Sequence, residues 1–289
     1  MSNLAENTIN STYLVPVCIA LIVIAAHELI RVKNQSFSVI QRGRVDTSLI
    51  HPADYLGFFL IASIFGALIL LNQAPPEVGA DGEPRDVKIT PFVLLFGMIG
   101  QAVPAVIVLV FILARDANPV KFFELLPKWK YARLLFVVVP IALIQAYIFM
   151  VILKIVGYEE WLKSTFGEDA QNQEIVRIFQ EADAVIIRVL LGFMAIIVAP
   201  LAEEIVFRGY FYPIIKRCGG ATLAIILTSL MFAAVHTNVP ALLPLFFLAV
   251  LFALAYEITG TLWAPILIHA AFNATTIVFQ EIARNQPPV

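Results

Sequence analysis

Charge is what this chain has least of: only 14% of its 289 residues are Asp, Glu, Lys or Arg, and the net charge is −2. Alongside 60% hydrophobic residues and a mean hydropathy of +0.88, that scarcity excludes an ordinary soluble domain. No basic balance points to nucleic acid, and none is expected as a partner. Cysteine is nearly absent too. Cys18 and Cys218 stand far apart, without CxxC or zinc-knuckle spacing, which excludes a disulfide framework and leaves two ordinary thiols. Transporter-type internal repeats, heptad runs and low-complexity segments are missing. The opening MSNLAENTINST lacks the basic region of a signal peptide, and no small-residue cleavage site ends the apolar run behind it. That first hydrophobic segment is therefore expected to stay in the mature protein.

What the chain has instead is long apolar runs. Windows of about 20 such residues read as transmembrane helices, and they fall near 13–31, 54–72, 91–114, 131–156, 185–207, 221–237, 240–258 and 262–282. The expected fold is an all-α polytopic helical bundle of about eight transmembrane helices, one integral domain overall. The bilayer is its first partner, and the inner or plasma membrane of a bacterium its expected location. The fifth span is expected to break at Ala199-Pro200 unless neighbouring helices absorb the break, because proline has no N–H and disfavours helix in the residue before it. Basic residues of short loops stay on the cytoplasmic side. Arg31, Lys33, Arg42, Arg44, Arg115, Lys121, Lys128, Lys130, Lys216 and Arg217 then share that side, and both termini lie outside. The acid-rich stretch 157–184 carries Ile175, Ile178 and Phe179 at helical spacing, which predicts an amphipathic surface helix leading into span five.

Polar groups inside the apolar C-terminal third need an explanation. Each ionisable group at bilayer depth costs about 2.5–3.5 kcal/mol on insertion scales, so it marks a functional site by default. Glu204 and Arg208 are four apart on one helix face with the acid first, the spacing of an ion pair. Glu203 is rotated from Glu204 by roughly 100°, so the two carboxylates cannot both serve Arg208. Glu203 is the expected reactive carboxylate, since a buried acid without a cation holds its proton near neutral pH and suits general acid–base work. Phe232 lies one turn before His236 and is placed to pack on its ring. His269 and Asn273 are again one turn apart, an imidazole and a carboxamide able to bind a carbonyl oxygen or position a water. Taken singly, each group has a plainer reading: interhelical hydrogen bonds for the histidines and Asn273, and a packing ion pair for Glu204 with Arg208. His27, Glu28 and His51 read as interface residues near span ends. Tyr210 and Tyr212 fit an interfacial aromatic belt.

Glu203-Glu204-Ile-Val-Phe-Arg208, Phe232 to His236 and His269 to Asn273, in that order on successive hydrophobic segments, resemble the CPBP family of type II CAAX prenyl endopeptidases and bacteriocin-processing or self-immunity (Abi) proteins. The resemblance covers about residues 185–282. It implies an eight-helix intramembrane protease, with residues 185–289 as the catalytic core and 1–184 as N-terminal transmembrane helices and connector. It further implies that Glu203 and His236 activate a water, that His269 and Asn273 bind the carbonyl oxygen or oxyanion, and that Glu204 and Arg208 support the helix. Alternatively Glu203, His236 and His269 hold Zn²⁺ with an open position for water. The cofactor is thus Zn²⁺ or none, and no HExxH helix is present.

The implied substrate is a membrane-anchored peptide or protein: a prenylated chain, a peptide pheromone, a bacteriocin leader or a sorting tail. Two other classes compete. One is a non-catalytic scaffold or immunity protein of the same family. The other is a secondary transporter, although inverted repeats and paired broken helices are expected there. Serine and aspartyl intramembrane proteases are excluded by the lack of Gly-x-Ser-Gly and Gly-x-Gly-Asp strings.

Overall fold

The computed structural model describes residues 43–71, 90–126, 129–166, 179, 182 and 184–284. Among these the regular structure is entirely helical, as the sequence predicts. In chain order the helices are α1 (Pro52–Leu71), α2 (Pro91–Ala114), the single turn α3 (Pro119–Phe122), α4 (Trp129–Ile155), α5 (Tyr158–Phe166), α6 (Val185–Phe193), α7 (Ala199–Glu204), α8 (Tyr212–Val235), α9 (Val239–Thr259) and α10 (Trp263–Arg284). Two π-helical turns, Met194–Val198 and Ile205–Phe211, flank α7.

Helix starts follow local chemistry. Pro52, Pro91 and Pro119 open their helices, where the missing N–H costs nothing. Thr90 caps α2 by accepting from Val93 N at 3.2 Å, and Asn238 caps α9 by accepting from Ala241 N at 2.8 Å. α9 stops at Gly260, whose φ of 71° suits glycine and whose N–H returns to Tyr256 O.

Five helical stretches among the described residues are long and apolar enough to cross a membrane: Pro52–Leu70, Pro91–Ala114, Ala132–Ile155, Val185–Val235 and Val239–Thr259. The chain is a multi-pass integral membrane protein. Of the eight expected spans, seven fall on described residues. The expected span 13–31 lies outside them. The expected spans 185–207 and 221–237 are separated at Gly220, whose φ of 85° and ψ of 171° are not helical, within the stretch Val185–Val235. The expected last span is the helix α10, whose hydropathy is diluted by His269, Asn273, Thr275, Thr276 and Gln280.

The break expected at Ala199-Pro200 is absorbed rather than made. Ala199 N–H bonds Met194 O, five residues back, and this wider turn lets the helix carry on through Pro200. Of the predicted 157–184 helix, Tyr158–Phe166 is seen, with Leu162 buried beneath Glu159, Glu160 and Lys163. Ile175 and Ile178 lie outside the described residues, and Phe179 packs with Leu94 and Leu191.

Lipid-facing positions stay apolar, with Phe92, Phe96, Ile99, Phe136 and Ile144 all exposed. Since lipid is as apolar as these side chains, helix association rests on close packing and on interhelical hydrogen bonds of roughly 0.6–2 kcal/mol each. α8 packs on α9, α4 on α9 and α10, and α2 on α7. Gly209 permits one close approach, since a Cβ there would sit 2.7 Å from the Phe123 ring. Of the basic residues expected to share a side, Arg31, Lys33, Arg42 and Lys128 lie outside the described residues, while Arg44, Arg115, Lys216 and Arg217 meet at one end of the bundle. Lys216 donates to Val45 O, Arg217 to Thr47 O and Ile50 O, and Arg115 to Leu49 O. Arg44 bonds Ile258 O there as well.

One reading is corrected. Tyr210 and Tyr212 are not belt residues, because both are fully buried. Tyr210 donates to Asp54 O at 3.1 Å and Tyr212 to Glu257 Oε1 at 2.7 Å. A buried phenol needs an acceptor, and here each joins distant elements at that basic end. His51 lies exposed just before α1, its Nδ1 accepting from Ala53 N at 3.2 Å. His27, Glu28 and Cys18 lie outside the described residues. Cys218 Sγ is 3.5 Å from the Tyr55 hydroxyl.

Candidate active site

The site is built around α7, whose shape comes from Pro200. In the π register opened by Ala199, the next donor to Ala195 O is residue 200, and proline has no N–H to give. An unmatched carbonyl at this depth has no water to turn to. Asn273 Nδ2 supplies the bond from α10 at 2.7 Å. Asn273 thus ties α10 to the wide turn preceding the two glutamates.

Beyond that turn the two carboxylates diverge, as the rotation between neighbours requires. Glu204 is completely buried, and its Oε1 accepts from Arg208 Nη1 at 3.0 Å and lies 3.0 Å from His269 Nδ1. Arg208, equally buried, reaches on to Ala249 O at 3.0 Å through Nη2. Its guanidinium lies 4.6 Å from the Phe232 ring centre and 5.0 Å from that of Phe252, inside cation–π range. Phe252 stacks on His269 at 4.9 Å and 24°. The ion pair predicted from spacing is present and has a second task, since Glu204 also orients a histidine.

Both histidines are held by Nδ1. His236 Nδ1 lies 2.7 Å from Phe232 O, which accepts only, so Nδ1 carries a proton and, in the neutral ring, Nε2 has the lone pair. His269 is assigned the same way by Glu204 Oε1. These tautomers follow from the hydrogen-bond network. Phe232 packs against His236 at 4.8 Å, as predicted, and meets His269 edge-on at 5.7 Å.

Glu203 faces the Nε2 atoms of both rings. Its Oε2 is 3.9 Å from His236 Nε2 and 3.9 Å from His269 Nε2, and it is buried with no hydrogen-bond partner. Heavy atoms 3.9 Å apart are too far for a direct bond, yet one oxygen atom can reach both. Glu203 Oε1 accepts from Gln101 Nε2 on α2 at 3.1 Å. The side chains of Glu203 and His236 keep 18% and 25% of their exposure, against 0% for Glu204 and Arg208. This pair is thus less enclosed than Glu204 and Arg208, although Glu203 Oε2 itself is buried.

A metal ion is compatible with this donor set by chemistry. One carboxylate with an unmatched oxygen and two imidazoles with unprotonated Nε2 atoms form a ligand trio that suits Zn²⁺. Glu204 behind His269 and the Phe232 carbonyl behind His236 would be the outer-shell partners such ligands use. Among the described residues, however, no three His, Cys, Asp or Glu side chains are already drawn together at ligand spacing.

Of the residues singled out by sequence, Glu203, Glu204, Arg208, His236 and His269 form one connected cluster. Asn273 joins its edge: it shares a face with His269 but bonds Ala195 rather than a target common to both. Gln101 escaped notice. Its signal was a lone amide within a 24-residue apolar helix, the kind of polar group that marks a site in a membrane.

Comparison with known proteins agrees with this geometry. Residues 185–275 match the family described as type II CAAX prenyl endopeptidase Rce1-like, so the resemblance carried by the three motifs holds over this segment. The chain is 29% identical over 133 residues to YdiL of Bacillus subtilis (strain 168), a provisionally named membrane peptidase, covering 45% of this chain and 52% of that one. It is 36% identical over 94 residues to the membrane-embedded CAAX protease MroQ of Staphylococcus aureus (strain USA300), covering 30% and 38%. The chain thus spans about half or less of the length of these relatives. No solved structure matches.

Proposed function

We propose that this chain is an intramembrane endopeptidase that hydrolyses a peptide bond in a membrane-anchored peptide or protein. The observation that carries the reading is Glu203 Oε2, buried and unpartnered, facing the Nε2 atoms of His236 and His269 from 3.9 Å. The names of the relatives, a membrane peptidase and a CAAX protease, support the same chemistry.

In this reading a water seated between Glu203 and His236 gives its proton to Glu203 as its oxygen attacks the substrate carbonyl carbon. The oxyanion that forms is met by His269 and Asn273. His269 meets it as a donor once the ring, neutral and bare at Nε2 at rest, also carries a hydrogen there. The Asn273 amide has a second N–H beyond the one given to Ala195. Collapse of the intermediate breaks the C–N bond, and the leaving amine takes a proton from the Glu203–His236 pair. If Zn²⁺ is bound, Glu203, His236 and His269 would hold it, and it would supply Lewis-acid polarisation and a more acidic water. Residues 185–289 act as the catalytic core, and α2 and α4 pack against it.

The test is cleavage of a quenched, membrane-anchored peptide library by purified protein in lipid, comparing wild type, Glu203→Gln and wild type with a strong zinc chelator. Loss in the mutant with activity kept in chelator supports a glutamate–histidine protease. Loss in both adds the metal. No cleavage by wild type, or full cleavage by the mutant, overturns the proposal.

A further inference from the structure

The buried face of α2 follows a helical stripe: Leu94, Met98, Ala105, Val108 and Ile112 are all buried. Between Met98 and Ala105 the stripe passes over Gln101 and Ala102, both half-buried, and Gln101 brings an amide to an otherwise apolar face. A primary amide in such a place is expensive unless its donors and acceptor are met, and Gln101 Nε2 meets Glu203 Oε1 at 3.1 Å. A carboxylate only accepts, so the amide must present nitrogen, not oxygen, to it.

This bond divides the labour between the two oxygens of Glu203. Oε1 is fixed by a donor on another helix, and Oε2, which has no partner, is left turned toward both histidines. Without that anchor the carboxylate can rotate about its last torsion, which is broad and roughly two-fold, and Oε2 need no longer point at the rings. α7, which carries Glu203, lies against α2, so the anchor comes from a rigid neighbouring element. Its position in the chain is informative as well, since Gln101 lies outside the segment matched to the peptidase family.

We propose that Gln101 is a positioning residue of the active site: it acts through Glu203, holding the carboxylate so that Oε2 faces His236 and His269. The inference rests on the protease reading above. It differs from a role as interhelical glue, because glue between α2 and α7 contributes to stability irrespective of turnover.

Gln101→Met keeps the shape of the side chain and removes the donor, whereas Gln101→His restores an N–H donor. In the quenched-peptide assay in lipid, Gln101→Met is expected to lower kcat roughly 10- to 100-fold, the usual cost of losing such a supporting bond. KM should stay within about twofold and the melting temperature near that of the wild type, with Gln101→His recovering most of kcat. Independently of turnover, the carboxylate stretching band assigned to Glu203 by infrared difference against Glu203→Gln should shift in Gln101→Met and return toward its wild-type position in Gln101→His. If Glu203→Gln is inactive while Gln101→Met keeps wild-type kcat and an unshifted band, the positioning role is overturned and the protease reading stands. If kcat and melting temperature fall together in Gln101→Met, with no recovery in Gln101→His, Gln101 is glue. No cleavage by wild type, or full cleavage by Glu203→Gln, overturns both.

Discussion

Two adjacent glutamates occupy opposite situations. Glu204 is wholly buried with its Oε1 shared between a cation and an imidazole, whereas Glu203 keeps some exposure and sets its Oε2 opposite two imidazoles; in both, Oε2 has no hydrogen-bond partner. One turn of helix in a bilayer thus holds a carboxylate paired with a cation and one that is not. The paired one organises its surroundings, and in the protease reading the other is the one that does chemistry. Sequence adjacency of like residues says nothing about shared roles. The rotation per residue and the identity of the facing helix decide.

The contrast can be broken from either side. Glu203→Gln is expected to have the largest effect on turnover, a loss on the order of 10²–10⁴-fold in kcat, with the melting temperature unchanged. Cleavage rates and thermal unfolding in lipid check both halves. Arg208→Leu should do the reverse and unfold the site, costing about 3–5 kcal/mol because Glu204 is left as an uncompensated buried charge. Denaturation of the reconstituted protein measures this. Glu204→Gln falls between the two. It keeps an acceptor for His269 while removing the charge behind the ring, for an expected roughly 10- to 100-fold loss of kcat that chemical denaturation would show to be accompanied by weakened folding. Asn273→Ala leaves Ala195 O unmatched at a cost of about 1–3 kcal/mol. That cost should shrink in a Pro200→Ala background, where residue 200 regains an N–H. A double-mutant cycle with no coupling between positions 200 and 273 would contradict the account of the wide turn.

Much of this was legible beforehand, for identifiable reasons. Glu204 and Arg208 pair because spacing of four on a helix is decided by geometry alone. His236, His269 and Glu203 stood out because charged or titratable groups are costly in apolar spans. The continuation of the helix through Pro200 was less accessible, since it depends on a wide turn and on an amide 73 positions further along the chain. Tyr210 and Tyr212 misled because an aromatic near a basic loop suits a membrane interface as well as a buried hydroxyl seeking Asp54 or Glu257. Gln101 passed unremarked because its partner lies on a helix remote in sequence, and only the packing of α2 on α7 brings the two together.

The division of roles is tested most directly by the protonation of the two histidines. Nitrogen-15 magnetic resonance of His236 and His269 in the wild-type protein, reconstituted in lipid and assigned with single His→Gln variants, reads which ring nitrogen carries the proton. The account predicts that both rings are protonated at Nδ1, facing the Phe232 carbonyl and Glu204, and bare at Nε2, facing Glu203. A proton on Nε2 of either neutral ring would mean that Glu203 faces a donor, not a lone pair, and would contradict the claim that Glu204 and Phe232 hold the histidines ready for it.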